Sequence, residues 1–583
     1  LKILLCAINA KYIHTNIAIR QIKKYCEMKN DNNDYKKIEF TINNYIPDIL
    51  ADIYKLNPDI VGFSCYIWNM EMVKKLCSSL KKILPKVKII LGGPEVSYNT
   101  EEVLINTKCD YVVSGEGEKV FYNLIQKLST NLDVSEVLGL TYKEHQGEIK
   151  KNKSEYPLEL SELSFPYDDF EEIKHKICYY EASRGCPFNC KYCLSSIEKG
   201  VRFLPIEKVK KELGVFLEQK VNQVKFVDRT FNCNEGYAIE IIRFLTENDN
   251  KITNFHFEVA ADLITDKFLS ELSYARKGLF QLEIGVQTTN RETLEVISRK
   301  SDFSHLSRVV NKILDLKTIH IHLDLIAGLP LENIESFSKS FDDVYNLKPH
   351  QLQLGFLKVL KGSQMEKLIQ KYLIEYNDFP PYEILSTSVL SYKDVLTLRG
   401  VEDMVENFYN TNRFVNSIKY LSGFFNSGYN LFSSMASYKE EYYQSSLVHN
   451  KNTAYEFLLN FAKNNAQIDI DIFIWILKYD YLLHEKPKGN PEWTNLCRNL
   501  FDKDESYYLS NKTNIIDDVI LKNRLNNFEK KEYIKNIHIE KLAINPINYI
   551  NEEIIVIFDY NQRDIYENSE VFIFQDIDKF NYL

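Results

Sequence analysis

Ser183-Arg184-Gly185-Cys186-Pro187-Phe188-Asn189-Cys190-Lys191-Tyr192-Cys193 places three thiols at the spacing C-x3-C-x2-C, directly after an apolar run over 177–182. Soft thiolates gathered this closely select an iron–sulfur cluster or zinc. A structural zinc site needs a fourth ligand. None is close in sequence, and His175 lies before the run. A cubic 4Fe–4S cluster has four corners, of which this loop can hold three. The remaining iron is then left to bind something else, as a catalytic cluster requires and an electron carrier does not.

Outward from this loop, strands are expected at 177–183, 223–228, 255–260, 280–286, 320–326 and 351–357, each followed by a helical stretch. Six such units predict a partial (β/α)6, TIM-like barrel over 177–370, and such barrels do their chemistry at the carboxyl ends of the strands. The cysteines follow the first strand, so motif and context agree. The preceding segment alternates in the same way, with strands at 3–8, 59–64, 87–91 and 111–113 and helices at 17–28, 70–84 and 120–128. That alternation predicts an α/β, doubly wound (Rossmann-like) domain over 1–135, which binds ligands at its strand ends. The residues at those ends are Asn9 and Lys11, then Ser64, Cys65 and Tyr66, then Gly92, Gly93, Pro94 and Glu95, and finally Gly115, Glu116 and Gly117. Glycine permits close backbone approach, and the helix N-termini that follow can face phosphate or amide groups. Each loop alone reads as a strand-to-helix turn, whereas four on one edge point to a ligand site.

Residues 136–176 read as a hairpin turning at Gln146-Gly147, then a linker through Pro166-Tyr167-Asp168-Asp169-Phe170. Beyond 370 the pattern changes to aromatic helices at 381–398, 401–409, 414–425, 454–463 and 468–483, a break around Lys486-Pro487-Lys488-Gly489-Asn490-Pro491, and strands from about 537. The segment 371–583 is thus expected to be mostly helical with a β tail, its aromatics explained by packing. A chain of 583 residues is too long for a single core. Its net charge of −9 argues against a nucleic-acid partner, and no apolar run reaches membrane-span length, so no membrane partner is expected. The opening residues 2–7 read as a buried strand rather than a signal peptide. Eight of the eleven cysteines are scattered, several within apolar strands. They form no disulfide framework and fit a reducing, cytoplasmic setting.

The cysteine motif, with an aromatic residue just before its third thiol, resembles that of the radical S-adenosylmethionine (SAM) superfamily. The segments Gly62-Phe63-Ser64, Leu91-Gly92-Gly93-Pro94-Glu95 and Asp110-Tyr111-Val112-Val113-Ser114-Gly115-Glu116-Gly117-Glu118 resemble the cobalamin (vitamin B12)-binding domain that precedes many of these enzymes. The last 200 residues resemble an uncharacterised C-terminal domain of one subgroup. The resemblance implies a 4Fe–4S cluster on Cys186, Cys190 and Cys193, with SAM on the open iron and Tyr192 along its adenine. It places Asp228 near SAM (or as a helix cap), Glu258 at the ribose hydroxyls, Gln287 as a polar contact and the backbone at Ile326 against adenine. Arg299 meets the SAM carboxylate or lies on a solvated helix face. His256 shares the face of Glu258 and is left unassigned. The Asp-x-His-x-x-Gly motif is missing, and His14, the one histidine of the first domain, stands in a different setting. Cobalamin is therefore expected without histidine ligation, or the domain has lost it, and His14 is read as a loop or packing residue. The implied activity is reductive cleavage of SAM to a 5′-deoxyadenosyl radical, hydrogen abstraction from an unreactive C–H, and cobalamin-borne methylation. The rivals are a radical rearrangement or oxidation without methylation, and a redox or cofactor-binding module without SAM chemistry. Expected partners are a small-molecule or peptide substrate and an external electron donor such as flavodoxin or ferredoxin.

Overall fold

The structure, a computed structural model, describes all residues except 30–31, 145–146, 198–199, 444–450, 488–490, 498–531, 565–567 and 575–583. Gln146 of the expected hairpin turn and Lys488, Gly489 and Asn490 of the expected break lie outside the described residues. The chain forms two compact units, Leu1–Ser336 with Phe356–Tyr392 and Phe337–Gly355 with Lys393–Leu583.

The first unit begins with a seven-stranded sheet in the order β2-β1-β3-β4-β5-β6-β7. Its strands are β1 (Lys2–Asn9), β2 (Asp34–Thr41), β3 (Ile60–Ser64), β4 (Lys88–Gly92), β5 (Tyr111–Val113), β6 (Leu140–Lys143) and β7 (Ile149–Lys151). The first five are parallel, and the expected hairpin adds β6 and β7 antiparallel. Strand β1 is apolar on both faces because both are covered. Leu4, Cys6 and Ile8 pack with Ile53, Val73 and Leu80 on one side, while Ile3, Leu5 and Ala7 pack with Val120, Phe121 and Leu124 on the other. Strand β2 and the helix Ile46–Leu56 were not expected. Asp34-Tyr35-Lys36-Lys37-Ile38-Glu39 lacks an apolar run because it lies at the sheet edge, where charged side chains are tolerated.

The first barrel strand, β8, ends at Tyr180 (Ile177–Tyr180), short of the expected 183. The chain then turns into an antiparallel ribbon of β9 (Ser183–Cys186) and β10 (Gly200–Phe203). The ribbon depends on Gly185, whose φ is +105° and whose added Cβ would strike the Gly200 carbonyl. Parallel strands β11 (Gln223–Phe226), β12 (Asn254–Val259), β13 (Phe280–Gln287) and β14 (His320–Ala327) follow, with β8 pairing with β11. The sixth strand, β15 (Gln351–Phe356), forms where predicted.

The second unit carries the helices Val415–Ser422, Gly428–Tyr442, Lys451–Lys463 and Ile470–His484. Antiparallel strands Ile537–Leu542, Ile554–Arg563 and Ser569–Phe574 make its β tail. The helices expected at 381–398 and 401–409 are instead one helix, Tyr392–Phe408, preceded by a short strand, Ile384–Ser386. Pro380 and Pro381 disfavour helical backbone at the expected start. Gly400 does not break the helix, because a Cβ there would press on Ala436 at 2.9 Å and the bare backbone is needed for contact. Aromatics fill the interior, as in Phe408 on Phe457 and Tyr455 on Trp493. Among the described residues no helix is long and apolar enough to cross a membrane.

Candidate active site

Strand β9 delivers Cys186, and Cys190 and Cys193 follow on a tight loop. The Ser196 hydroxyl closes that loop by donating to the Cys190 and Cys193 carbonyls at 2.9 and 2.7 Å. Lys191 secures it to the end of the helix Arg291–Val296, its amide donating to the Ile297 carbonyl and its ammonium to that of Val296. All three thiol residues line one cavity of about 210 Å³, and no fourth cysteine and no histidine is among the described lining residues. This donor set fits a 4Fe–4S cluster with one open iron and does not complete a tetrahedral zinc site.

Tyr192, Glu258, Gln287 and Arg299 line the same cavity. Arg299 follows the helix rather than lying on a solvated face of it. Its guanidinium approaches the Tyr192 hydroxyl at 3.2 Å and the Cys190 sulfur at 3.8 Å, and donates to the Gly285 carbonyl. Gln287 has φ +71° where the β13–β14 register shifts, a strained backbone that turns its amide into the site. Its Oε1 and the Nε of Arg299 are buried without hydrogen-bond partners. Orphaned polar atoms on a cavity wall fit a polar ligand such as SAM. Burial pushes the Glu258 carboxyl up to about 7, with Arg229 working in the other direction.

Asp228 and Ile326 are not among the cavity-lining residues. Ile326 lies on β14, half-buried. Asp228 is 1% exposed, and its carboxyl oxygens accept from the Ala182 amide (2.9 Å) and the Ser183 hydroxyl (2.5 Å), so it anchors the root of β9. Burial raises its carboxyl to about 7. The capping role considered for it belongs to Asn234, which accepts from the Tyr237 amide. Glu283 and Asp324, which the sequence reading passed over, also line the cavity. Behind them, Glu283 Oε2 lies 2.9 Å from both His256 Nε2 and Lys225 Nζ, and Asp324 Oδ1 lies 2.9 Å from His322 Nε2. The signal was available, since alternate residues of a strand share a face.

At the carboxyl edge of the first sheet, Gly93 has φ +113° and packs so closely that a Cβ would fall 2.6 Å from the Cys65 carbonyl oxygen. The Ser64 hydroxyl is buried without a partner, and Gly115 borders open space. This is a glycine-lined cradle with an unspent polar group, which fits a large amide-bearing ligand. Gly92, Pro94 and Gly117 stand on the same edge. Lys11 is exposed, Tyr66 stacks on Trp68 at 4.4 Å, and the Cys65 thiol turns away to the Phe63 carbonyl. Three of the other expected contacts are engaged within the protein. Asn9 donates to Glu39 (2.8 Å), and Glu95 accepts from the Tyr382 hydroxyl. Glu116 pairs with Arg202 and, at 3.3 Å, with Arg184. Burial works against ionisation of Glu116, but these arginines outweigh it and hold the carboxyl below its ordinary range. His14 bonds through Nδ1 to the Tyr179 hydroxyl at 2.9 Å, a packing role. Arg184, two residues before Cys186, also binds Glu118 (2.8 Å) and Glu181 (2.7 Å). The first sheet is thereby clamped to the cysteine ribbon.

A parallel sheet with three thiols at its carboxyl end, in one compact unit with a doubly wound domain, defines a radical SAM enzyme with a B12 domain. Family models agree along the chain: a B12 binding domain matches residues 3–125, the Radical SAM superfamily 180–344, and a protein family of unknown function, DUF4080, 370–558. The chain belongs to the radical SAM superfamily, with an N-terminal B12-binding domain and a C-terminal DUF4080 domain. The cofactors of such enzymes are a 4Fe–4S cluster, SAM and cobalamin, the set expected from the sequence. An uncharacterized methyltransferase of Pyrococcus horikoshii is 30% identical, over 43% of this chain and 56% of that protein. The cobalamin-dependent radical SAM methyltransferase TokK of Streptomyces tokunonensis is 24% identical, over 54% of this chain and 49% of its own. The chain spans about half the length of the curated relatives it matches. The cobalamin-dependent SAM radical enzyme OxsB, solved with aqua-cobalamin and SAM, shares the fold at TM-score 0.58 and 16% identity, over 92% of this chain and 84% of OxsB.

Proposed function

We propose that this protein is a cobalamin-dependent radical SAM methyltransferase acting on an unactivated carbon of a small-molecule or peptide substrate. The observation that carries the reading is the cavity in which three thiols meet two orphaned polar groups, Gln287 Oε1 and Arg299 Nε. Support for methylation comes from the relatives, which include TokK and the P. horikoshii methyltransferase. When bound, the cluster and SAM supply a 5′-deoxyadenosyl radical, and cobalamin supplies the methyl group. Cys186, Cys190 and Cys193 hold the cluster, with the Arg299 guanidinium beside Cys190. Arg299 and Gln287 orient the polar end of SAM, Tyr192 flanks it, and ionised Glu258 accepts from its ribose. Ser64, Gly93 and Gly115 form the cobalamin cradle, and the missing Asp-x-His-x-x-Gly motif leaves cobalt without histidine ligation. An external electron donor such as flavodoxin or ferredoxin completes the system, in the reducing cytosol that the eight scattered cysteines without disulfides suit.

The test is anaerobic incubation of the iron- and cobalamin-loaded chain with SAM and dithionite. Cobalt near one per chain is expected, with 5′-deoxyadenosine, methionine and S-adenosylhomocysteine among the products and none of the three from the C186A/C190A/C193A variant. Loaded protein that yields neither 5′-deoxyadenosine nor methionine would overturn the reading.

A further inference from the structure

We infer that His256, Glu283 and His322 bind one divalent first-row transition ion at the inner end of the cavity. A ligand atom from each of these three residues lies within 4.8 Å of the other two. Strand pairing brings them together. Glu283 stands opposite His322 across β13–β14, and it also stands opposite Glu258, which shares a β12 face with His256. Two imidazoles and one carboxylate form a donor set suited to zinc, iron(II) or cobalt(II). Tetrahedral coordination at about 2.0–2.1 Å spaces such ligand atoms roughly 3.3 Å apart, so only small side-chain shifts are needed.

A second observation points to a ligand. Both imidazole side chains are only 7% exposed, yet neither Nε2 makes an aligned hydrogen bond, although each lies 2.9 Å from a carboxylate oxygen. Two buried ring nitrogens and the carboxylate of Glu283 thus stand within reach of a single cation. Glu283 and Asp324 place two carboxyl groups beside the cation, and the Lys225 ammonium shares the first of them. Lys225, on Glu283 at 2.9 Å, can steady that carboxylate from outside or swing aside, its side chain being 26% exposed. Glu283 and Asp324 line the cavity while the two histidines do not. The ion is thus held from behind, with its open position toward the cavity for an oxygen or nitrogen of the substrate. The site stands independently of the methyl-transfer reading. Its bland competitor is a buried charge network that binds nothing.

The test uses the full chain as C186A/C190A/C193A, stripped with chelator so that cluster iron does not compete, and titrates it with cobalt(II). One cobalt per chain is expected, with visible d–d bands, no thiolate charge-transfer band, and an upward shift in melting temperature. Adding His256→Ala and His322→Ala should weaken binding at least tenfold. Should those changes unfold the chain, the conservative Glu283→Gln variant carries the same expectation. Pulsed EPR of the copper(II)-loaded parent should show two coupled imidazole nitrogens. No stoichiometric binding by a cooperatively melting parent, a thiolate signature, fewer than two coupled imidazoles, or unchanged affinity in the folded variants would overturn the inference.

Discussion

Replacing Arg184 by Met should loosen the cysteine ribbon before it affects anything else. The guanidinium is 17% exposed and pairs with Glu118 (8%), Glu181 (20%) and Glu116 (14%). Glu116 keeps Arg202 in the variant, but Glu118 and Glu181 lose their buried countercharge. Removing one partner of a buried ion pair costs about 3–5 kcal/mol, mostly the penalty of the charges left behind. At about 1.4 kcal/mol per tenfold, the ribbon's opening equilibrium should rise roughly a hundred- to several-thousand-fold. Hydrogen exchange of the amides at 183–186 and 200–203 reads this directly, because exchange follows local opening. Iron bound per chain should fall in parallel, since β9 carries Cys186. The triple variant E118Q/E181Q/R184M should regain most of the protection, because it removes the stranded charges along with the arginine. Unchanged exchange in R184M, or a triple variant no better protected than the single one, would refute the clamp.

Glu258, raised to about 7 by burial, should make SAM affinity fall about tenfold from pH 8 to pH 6 as the accepting carboxylate protonates. E258Q should bind SAM weakly and without that slope, and a pH-independent wild type by calorimetry would count against the role. Asp228 has its carboxyl raised from 3.8 to about 7 in the fold, so its neutral form is favoured. Its contribution is complete below about pH 4 and is lost as pH rises through 7. D228N should flatten that part of the melting-temperature profile, and parallel profiles would contradict the assignment. Gly93→Ala forces a Cβ to 2.6 Å from the Cys65 carbonyl at φ +113°. It should cost about 1–3 kcal/mol and reduce cobalamin uptake, and normal uptake by visible absorption with an unshifted melt would show that the cradle is not tight.

Much of this protein is legible residue by residue. Three thiols within eight positions declare their chemistry locally, because the loop that holds the cluster is itself the motif. The apolar runs of β1, β3 and β4 read as buried strands because both sheet faces are covered. Strand β2 was not legible, since an edge strand keeps its charges and loses the pattern that marks a core strand. Nor was the turn from β8 into the ribbon, which rests on the approach of Gly185 to Gly200, or the anchoring of that ribbon by Asp228, 45 residues beyond Ser183. The cavity wall was half legible, with Glu258, Gln287 and Arg299 singled out and Glu283 and Asp324 missed.

The amino-acid sequence by itself therefore determined the class of sheet, the place of the cysteines at a strand end and the chemistry of the cluster. Each depends on spacing or periodicity over a few neighbouring residues. Only the tertiary structure decided which charges meet. Arg184 and Glu118 are 66 residues apart, and His256, Glu283 and His322 come from three strands. A buried charge takes its partner from whatever the packed sheets bring within a few ångströms, and no local pattern records that choice.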